Sequence, residues 1–262
     1  MKRTLLIFAV SFLCIASADA QLRIGGRKID TGKAVKAVGD MATAVTLSDE
    51  DIAALCRESV EWMDAHNPID TGEYDARLKR LTEGITEAGG MQLNFKVYDV
   101  IDVNAFACGD GSVRVFSSLM DIMTDDELMA IIGHEIGHIV HHDSKDAIKR
   151  AYMASAARNA AGAVGGTVGK LSESQLGDLS QAFMSAQFSQ KQEYAADEYG
   201  FEFCIEHGFS PHGMADGLNR LVELSQGAKA STVQKMFSSH PDSEKRAARM
   251  KKKAEEYEST AR

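Results

Sequence analysis

Beyond its first twenty residues the chain lacks any long apolar run. No later stretch reaches the ~18 residues of a membrane-spanning helix. Positive charge is also short: 29 Lys and Arg stand against 38 Asp and Glu, for a formal charge of −9, and no basic stripe collects the cations. That balance argues against nucleic acid and against an anionic membrane surface as partners. There is no internal repeat and no low-complexity tract, which excludes a solenoid. Strands do not alternate with helices, which excludes a doubly wound parallel sheet.

What is there begins with a leader. Met1, Lys2 and Arg3 precede an apolar run from Leu5 to about Ser17, and Ala18-Asp19-Ala20 follows as an A-x-A cleavage pattern. Residues 1–20 therefore read as a secretory signal peptide. Cleavage leaves 242 residues carrying −10, since Lys2, Arg3 and Asp19 are lost. A chain of that size buries one good core. Cys14 raises a lipid anchor as an alternative, but Leu13 directly precedes it where a small residue is wanted. The expectation is an exported protein of the periplasm or cell envelope without lipid at Cys14. The remaining cysteines are odd in number, Cys56, Cys108 and Cys204, so they cannot all pair within one chain. A Cys56–Cys108 disulfide is expected near the sheet. Cys204, in an apolar helical stretch, reads as a buried thiol.

Residues 21–45 read as a lead-in, part helix and part extended, ahead of a single domain over 46–262. Ser48 and the acids Asp49, Glu50 and Asp51 open a helix that Asn67-Pro68 stops near His66. Thr71 is expected to cap a second helix reaching about Ala88, before Gly89-Gly90. The period then changes to that of a strand from Leu93 to Ile101. Asn104-Ala105-Phe106-Ala107 and Val113-Arg114-Val115-Phe116 read as a hairpin around a Gly-containing turn. Helices and loops follow Ser118, apart from the glycine-rich residues 162–169, which read as a surface loop or as a lid or linker. The order of helices, small sheet, then helices is α+β.

The chemistry lies in His134-Glu135-Ile136-Gly137-His138, an H-E-x-x-H motif within a helical pattern over 125–142. Thr124 is the expected cap, and Asp125, Asp126 and Glu127 fill the first turn. Residues four apart share a helix face, so His134 and His138 can grip one Zn²⁺ while Glu135 reaches its water. Co²⁺ and Mn²⁺ are also accepted by such donors. Gly133 and Gly137 weaken the helix, which signals something packed or bound close to its backbone.

Two histidines leave zinc short of ligands. Glu193 and Asp197 sit four apart in a helical pattern running from about Ser174 to Glu206. On its own such a pair is a solvated face. Beside an unfilled H-E-x-x-H it supplies Glu193 as third ligand and Asp197 as acceptor for a ligand imidazole. His141 and His142 are the rivals, but along one straight helix they cannot readily surround a tetrahedral ion. They suit the helix C-terminus instead. His240-Pro241 puts a histidine at the start of the last helix, with Pro241 in its first position. His240 can stabilise an oxyanion, occupy the metal's open position, or simply cap.

Taken together, these segments resemble the gluzincin metallopeptidases of the Oma/HtpX/prenyl-protease group, peptidase family M48, and a cell-envelope branch of it in particular. The motifs are Asn104 to Ala107, the return over 113–117, residues 133–138, Gln192-Glu193 with Asp197, and His240-Pro241 with Arg246. Residues 119–125, 171–177 and 187–190 carry the likeness to the envelope branch. The resemblance implies a zincin-like fold, one Zn²⁺ on His134, His138 and Glu193, Glu135 as general base, and Asp197 orienting a ligand. His240 and Arg246 would stand near the substrate oxyanion. The strand Asn104, Ala105, Phe106, Ala107 would be a sheet edge that binds extended peptide beside the active-site helix. It further implies hydrolysis of misfolded or envelope-associated proteins, with association to the outer membrane or its proteins. The alternative is a chaperone-like peptide-binding or assembly factor with a latent metal site.

Overall fold

The computed structural model describes residues 22–24, 27–29, 47–159, 171–226, 236 and 238–260. The leader, residues 162–169 and most of the lead-in lie outside the described residues. Two short strands of the lead-in, β1 (Leu22–Ile24) and β2 (Arg27–Ile29), pair antiparallel.

Helix α1 (Asp49–His66) begins at Ser48 through a capping box with Asp51 and stops at Asn67. Helix α2 (Glu73–Leu81) is about two turns shorter than its sequence suggests. The Thr82 hydroxyl bonds back to the Leu78 carbonyl, and Gly84 takes a φ of +80°. The chain then turns through a small hairpin, β3 (Glu87–Ala88) and β4 (Met91–Gln92), with Gly89 and Gly90 at φ of +57° and +78°. Those two glycines serve a hairpin turn and not a helix end.

Three further strands form the main sheet: β5 (Asn94–Tyr98), β6 (Ala105–Ala107) and β7 (Ser112–Phe116), in the order β5-β7-β6. The β6–β7 pair is the expected hairpin, with Ala105 opposite Val115. The β5–β7 pair is parallel, with Tyr98 opposite Phe116. β6 is thereby left at an edge. Side chains alternate across the sheet. Val97, Ala105, Val113 and Val115 enter one core; Tyr98, Phe106 and Phe116 enter a second.

After α3 (Ser117–Ile122) comes α4 (Asp125–Val140), capped by Thr124 with Glu127 in a reciprocal box. α4 is buried from Glu127 to Ile139. It lies on the first core face of the sheet, where each fully buried Leu or Ile contributes about 1.5–3 kcal/mol. Its cover is α7 (Gln190–Glu206) and α8 (Gly213–Ser225). The second core is closed by α1, α5 (Asp143–Asn159) and α6 (Glu173–Met184).

The long pattern from Ser174 to Glu206 is thus two helices. Ser189 and Gln192 form a fresh capping box that starts α7, and residues 185–189 turn between the two. The last helix, α9 (Ser243–Thr260), starts two residues beyond Pro241, because Asp242 has a φ of 63° that a continuous helix does not allow. The fold is α+β and mostly helical, as the order of elements implied. Among the described residues no helix is long and apolar enough to cross a membrane.

An ionic cluster ties α1 to the second face of the sheet. Asp64 accepts from Arg114 Nε at 2.8 Å, Lys96 Nζ at 2.7 Å and the Tyr98 hydroxyl at 2.6 Å. Burial pushes the Asp64 carboxyl up, but these bonds outweigh it and hold the pKa at about 2.

Cys56, Cys108 and Cys204 are free, buried thiols, so the expected Cys56–Cys108 disulfide is not present. The two thiols are neighbours within the second core and hydrogen-bond to each other, and burial followed by that contact keeps the Cys108 thiol well above its usual pKa. Cys204 is buried as expected, and burial raises its pKa to about 12.

Candidate metal centre

The two glycines of the H-E-x-x-H helix let α7 come close. A Cβ on Gly133 would lie 2.7 Å from Phe203 Cδ1, and one on Gly137 would lie 3.1 Å from the Ala196 Cα. From the α7 side, a Cβ on Gly200 would stand 3.0 Å from the His134 backbone nitrogen. The helices therefore run antiparallel almost backbone to backbone, which puts Glu193 against the two histidines.

His134 Nε2 and His138 Nε2 stand 3.2 Å apart. Glu193 Oε1 is 3.4 Å from His138 Nε2 and 3.0 Å from His240 Nδ1, and His240 Nδ1 is 3.3 Å from His134 Nε2. All four donors lie within 4.8 Å of one another, and all four residues are buried. A tetrahedral zinc with bonds of 2.0–2.1 Å has ligand edges of about 3.3–3.4 Å, close to these separations.

Each histidine of α4 is oriented from behind. His134 Nδ1 is 3.0 Å from Asp197 Oδ1, and His138 Nδ1 is 3.0 Å from Asp143 Oδ2. With the Nδ1 protons so placed, both Nε2 lone pairs point at each other and at a carboxylate. Only a proton or a cation reconciles such a cluster. The electrostatics agree. Burial disfavours charge on both rings. At His138 the bonds to Asp143 and Glu193 outweigh it and raise the pKa to about 9. At His134 burial prevails over Asp197, helped by the charges of Arg246 and His138, and the pKa falls. The donor set fits a divalent metal.

Arg246 braces this arrangement. It is buried, forks onto Asp197 with Nε at 2.9 Å and Nη2 at 2.6 Å, and its Nη1 pairs with Glu193 Oε2. Burial raises the Asp197 carboxyl, but the bonds from Arg246 and His134 prevail and lower its pKa. Arg246 thus stands behind the donors and supports their corner.

Glu135 is buried, and its Oε1 has no hydrogen-bond partner; His240 Nε2 is 3.5 Å away. It opens on a narrow cleft that is also lined by Asn104, Ala105, Phe106 and Ala107 of the β6 edge. Residues 185–189 form the other side. Phe188 stacks on the His138 ring at 3.9 Å, and its amide donates to the Ser239 carbonyl at 3.3 Å. His141 and His142 are exposed and outside the donor cluster.

Sequence reasoning had not found three of these contributors. Asp143 carries a signal, an acid three residues past the end of the H-E-x-x-H helix and five past His138. Gln192, whose Nε2 donates to Asp143 Oδ1 at 2.6 Å, was noticed only as part of a motif. Phe188 had no periodicity to single it out.

The pattern of Peptidase family M48 matches residues 73–254, which span all four donors. The chain belongs to peptidase family M48. Two relatives from Escherichia coli are similar over nearly their whole length. Metalloprotease LoiP is 37% identical over 238 residues, covering 90% of this chain and 93% of LoiP. Metalloprotease YcaL is 35% identical over 250 residues, 94% of this chain and 96% of YcaL. A Protease HtpX homolog from Persephonella marina is more distant, at 26% over 187 residues, or 56% of this chain and 64% of that one. As an M48 member with these relatives, the chain is a metalloprotease, a hydrolase acting on polypeptides.

Proposed function

We propose that this chain is a zinc-dependent endopeptidase of the cell envelope that hydrolyses misfolded or envelope-associated proteins. One observation carries the reading: a buried carboxylate, Glu135, with an oxygen lacking a hydrogen-bond donor, beside four buried metal donors. His134, His138 and Glu193 would hold the ion. Zinc, when bound, supplies Lewis-acid polarisation of a carbonyl and lowers the pKa of water to about 7. Glu135 takes the proton of the attacking water and delivers it to the leaving amine. Asp197, Asp143 and Arg246 keep the donors in register, and the edge of β6, whose Ala107 carbonyl already accepts from the Ser144 hydroxyl at 2.8 Å, pairs with the substrate backbone on the side of Ala105. The signal-peptide pattern over residues 1–20 supports the envelope location.

The test uses the full mature chain with casein, alongside Glu135→Gln and a chelated sample. The expected result is cleavage by the wild type alone, with one zinc in both proteins. Glu135→Gln should lose at least about 10²-fold in rate, the low end for removing a general base. Casein cleavage by Glu135→Gln at the wild-type rate would falsify the mechanism.

A second reading has its own support. His240 makes a fourth donor, 3.3 Å from His134 Nε2 and 3.0 Å from Glu193 Oε1. Four protein donors are the mark of a closed metal site. In a latent enzyme or a peptide-binding factor, His240 is the closing group. If so, His240→Ala raises casein cleavage; if His240 serves the oxyanion, the same change lowers it.

A further inference from the structure

The start of α7 reaches His138 from two sides. The Phe188 ring stacks on the imidazole at 3.9 Å, nearly parallel to it at 14°. One turn further on, Gln192 reaches the carboxylate behind the same ring. Its Nε2 donates to Asp143 Oδ1 at 2.6 Å, while Asp143 Oδ2 lies 3.0 Å from His138 Nδ1. The chain between α4 and α5 reverses through His142, at a φ of 63°, a left-handed conformation uncommon outside glycine.

We infer that Gln192 is a positioning residue for the metal ligand His138. It holds Asp143 in the one orientation that keeps the proton on Nδ1 and leaves Nε2 free for the ion. The inference rests on the zinc reading above, with His134, His138 and Glu193 as the holders.

The amide of Gln192 has one workable direction. Its Oε1 accepts from the Ser189 backbone amide at 2.9 Å and from the Ser189 hydroxyl at 2.8 Å. Its Nε2 faces a carboxylate, which accepts and has no proton to give. A flipped amide would set oxygen against oxygen at one end and N–H against N–H at the other. The relay Ser189–Gln192–Asp143–His138 therefore has a single polarity, and it ends in an imidazole that donates from Nδ1.

The cap of α7 does not by itself ask for glutamine. Glutamate closes the same box with a serine, and its charge would suit the first turn of a helix. Glutamate has no N–H to offer Asp143, whereas glutamine serves both partners. The two histidines of α4 are also braced differently. Behind His134, Asp197 is forked by the Arg246 guanidinium, which opposes its charge. Behind His138, a neutral amide fixes Asp143 without opposing its charge, so the bond to Nδ1 stays charge-assisted. A carboxylate placed in this way fixes the tautomer of a ligand histidine and raises its basicity toward metal.

Two variants of the full mature chain separate this role from that of a cap. Gln192→Glu keeps the capping box and removes the donor to Asp143. Ser189→Ala removes the cap's hydroxyl and keeps the donor. Zinc affinity is read by chelator competition. The exchange lifetime of the His138 Nδ1 proton is read by NMR with isotope-labelled histidine, its signal assigned with Asp143→Ala. Gln192→Glu is expected to bind zinc about tenfold more weakly, the low end for disturbing the support of a ligand histidine. Its His138 Nδ1 proton should exchange faster while that of His134 is unmoved. Ser189→Ala is expected to melt at a lower temperature with zinc affinity unchanged.

Wild-type zinc affinity in Gln192→Glu, or equal acceleration of both Nδ1 protons, overturns the proposal. So does a loss of affinity in Ser189→Ala as large as in Gln192→Glu, which would make Gln192 a helix cap only. A wild type that takes up no zinc counts against the zinc reading instead. The proton lifetimes in the metal-free chains then still decide the role of Gln192.

Discussion

Gly200 shows how little room the metal centre leaves. A methyl there would sit 2.9 Å from the Ala130 carbonyl oxygen and 3.0 Å from the His134 nitrogen, both backbone atoms that do not swing away. Gly200→Ala must push α7 off α4 and carry Glu193 away from the histidines. The expected cost is about 2 kcal/mol, typical of overpacking, together with weaker zinc binding. Urea unfolding and competitive zinc titration read the two effects, and an unchanged midpoint with unchanged affinity would contradict the close approach. The same logic was legible beforehand at Gly133 and Gly137, where helix-weakening residues flanked the histidines. What packed there was not legible, since its residues lie some sixty positions further on.

At the level of elements, caps carried much of the readable signal. Thr124 and Glu127 were visible as the start of α4, and the structure closes both bonds of the box. Thr124→Ala should cost about 1 kcal/mol, seen as a lowered thermal midpoint with zinc stoichiometry intact. Normal stability of that variant would mean the cap is redundant. Ser48 was equally plain. The break before α7 was not, because helical periodicity continues through residues 185–189 while Ser189 restarts the helix. α2 was overextended for a related reason: Gly89-Gly90 reads alike as a helix stop and a hairpin turn. Parallel pairing of β5 with β7 depends on contacts far apart in sequence, which neither alternation nor turn chemistry encodes. The first-line donors were legible from i, i+4 spacing. The fork of Arg246 onto Asp197 depends on how distant helices dock, whereas Asp143 reaches His138 locally, five residues on, through the turn between α4 and α5.

For the molecule as a whole, the joint between α1 and the sheet should set acid stability. Asp64 is held at about 2, below its unfolded value near 3.8. A depressed carboxyl stabilises the fold above the unfolded pKa and loses that contribution as pH falls through the folded one. Asp64 should therefore add on the order of 2 kcal/mol above about pH 4 and nothing well below pH 2. Comparing urea unfolding of the wild type and Asp64→Asn from pH 6 to pH 2 tests this, and a gap that widens toward acid would refute it. The donor positions carry a different consequence. They fall at residues 134, 138, 193 and 240, and their brace at 246. Removing everything from residue 240 on would leave His134, His138 and Glu193 but take away His240 and the Arg246 guanidinium together, so the corner that braces Glu193 and Asp197 comes from a stretch of chain about a hundred residues beyond the H-E-x-x-H helix.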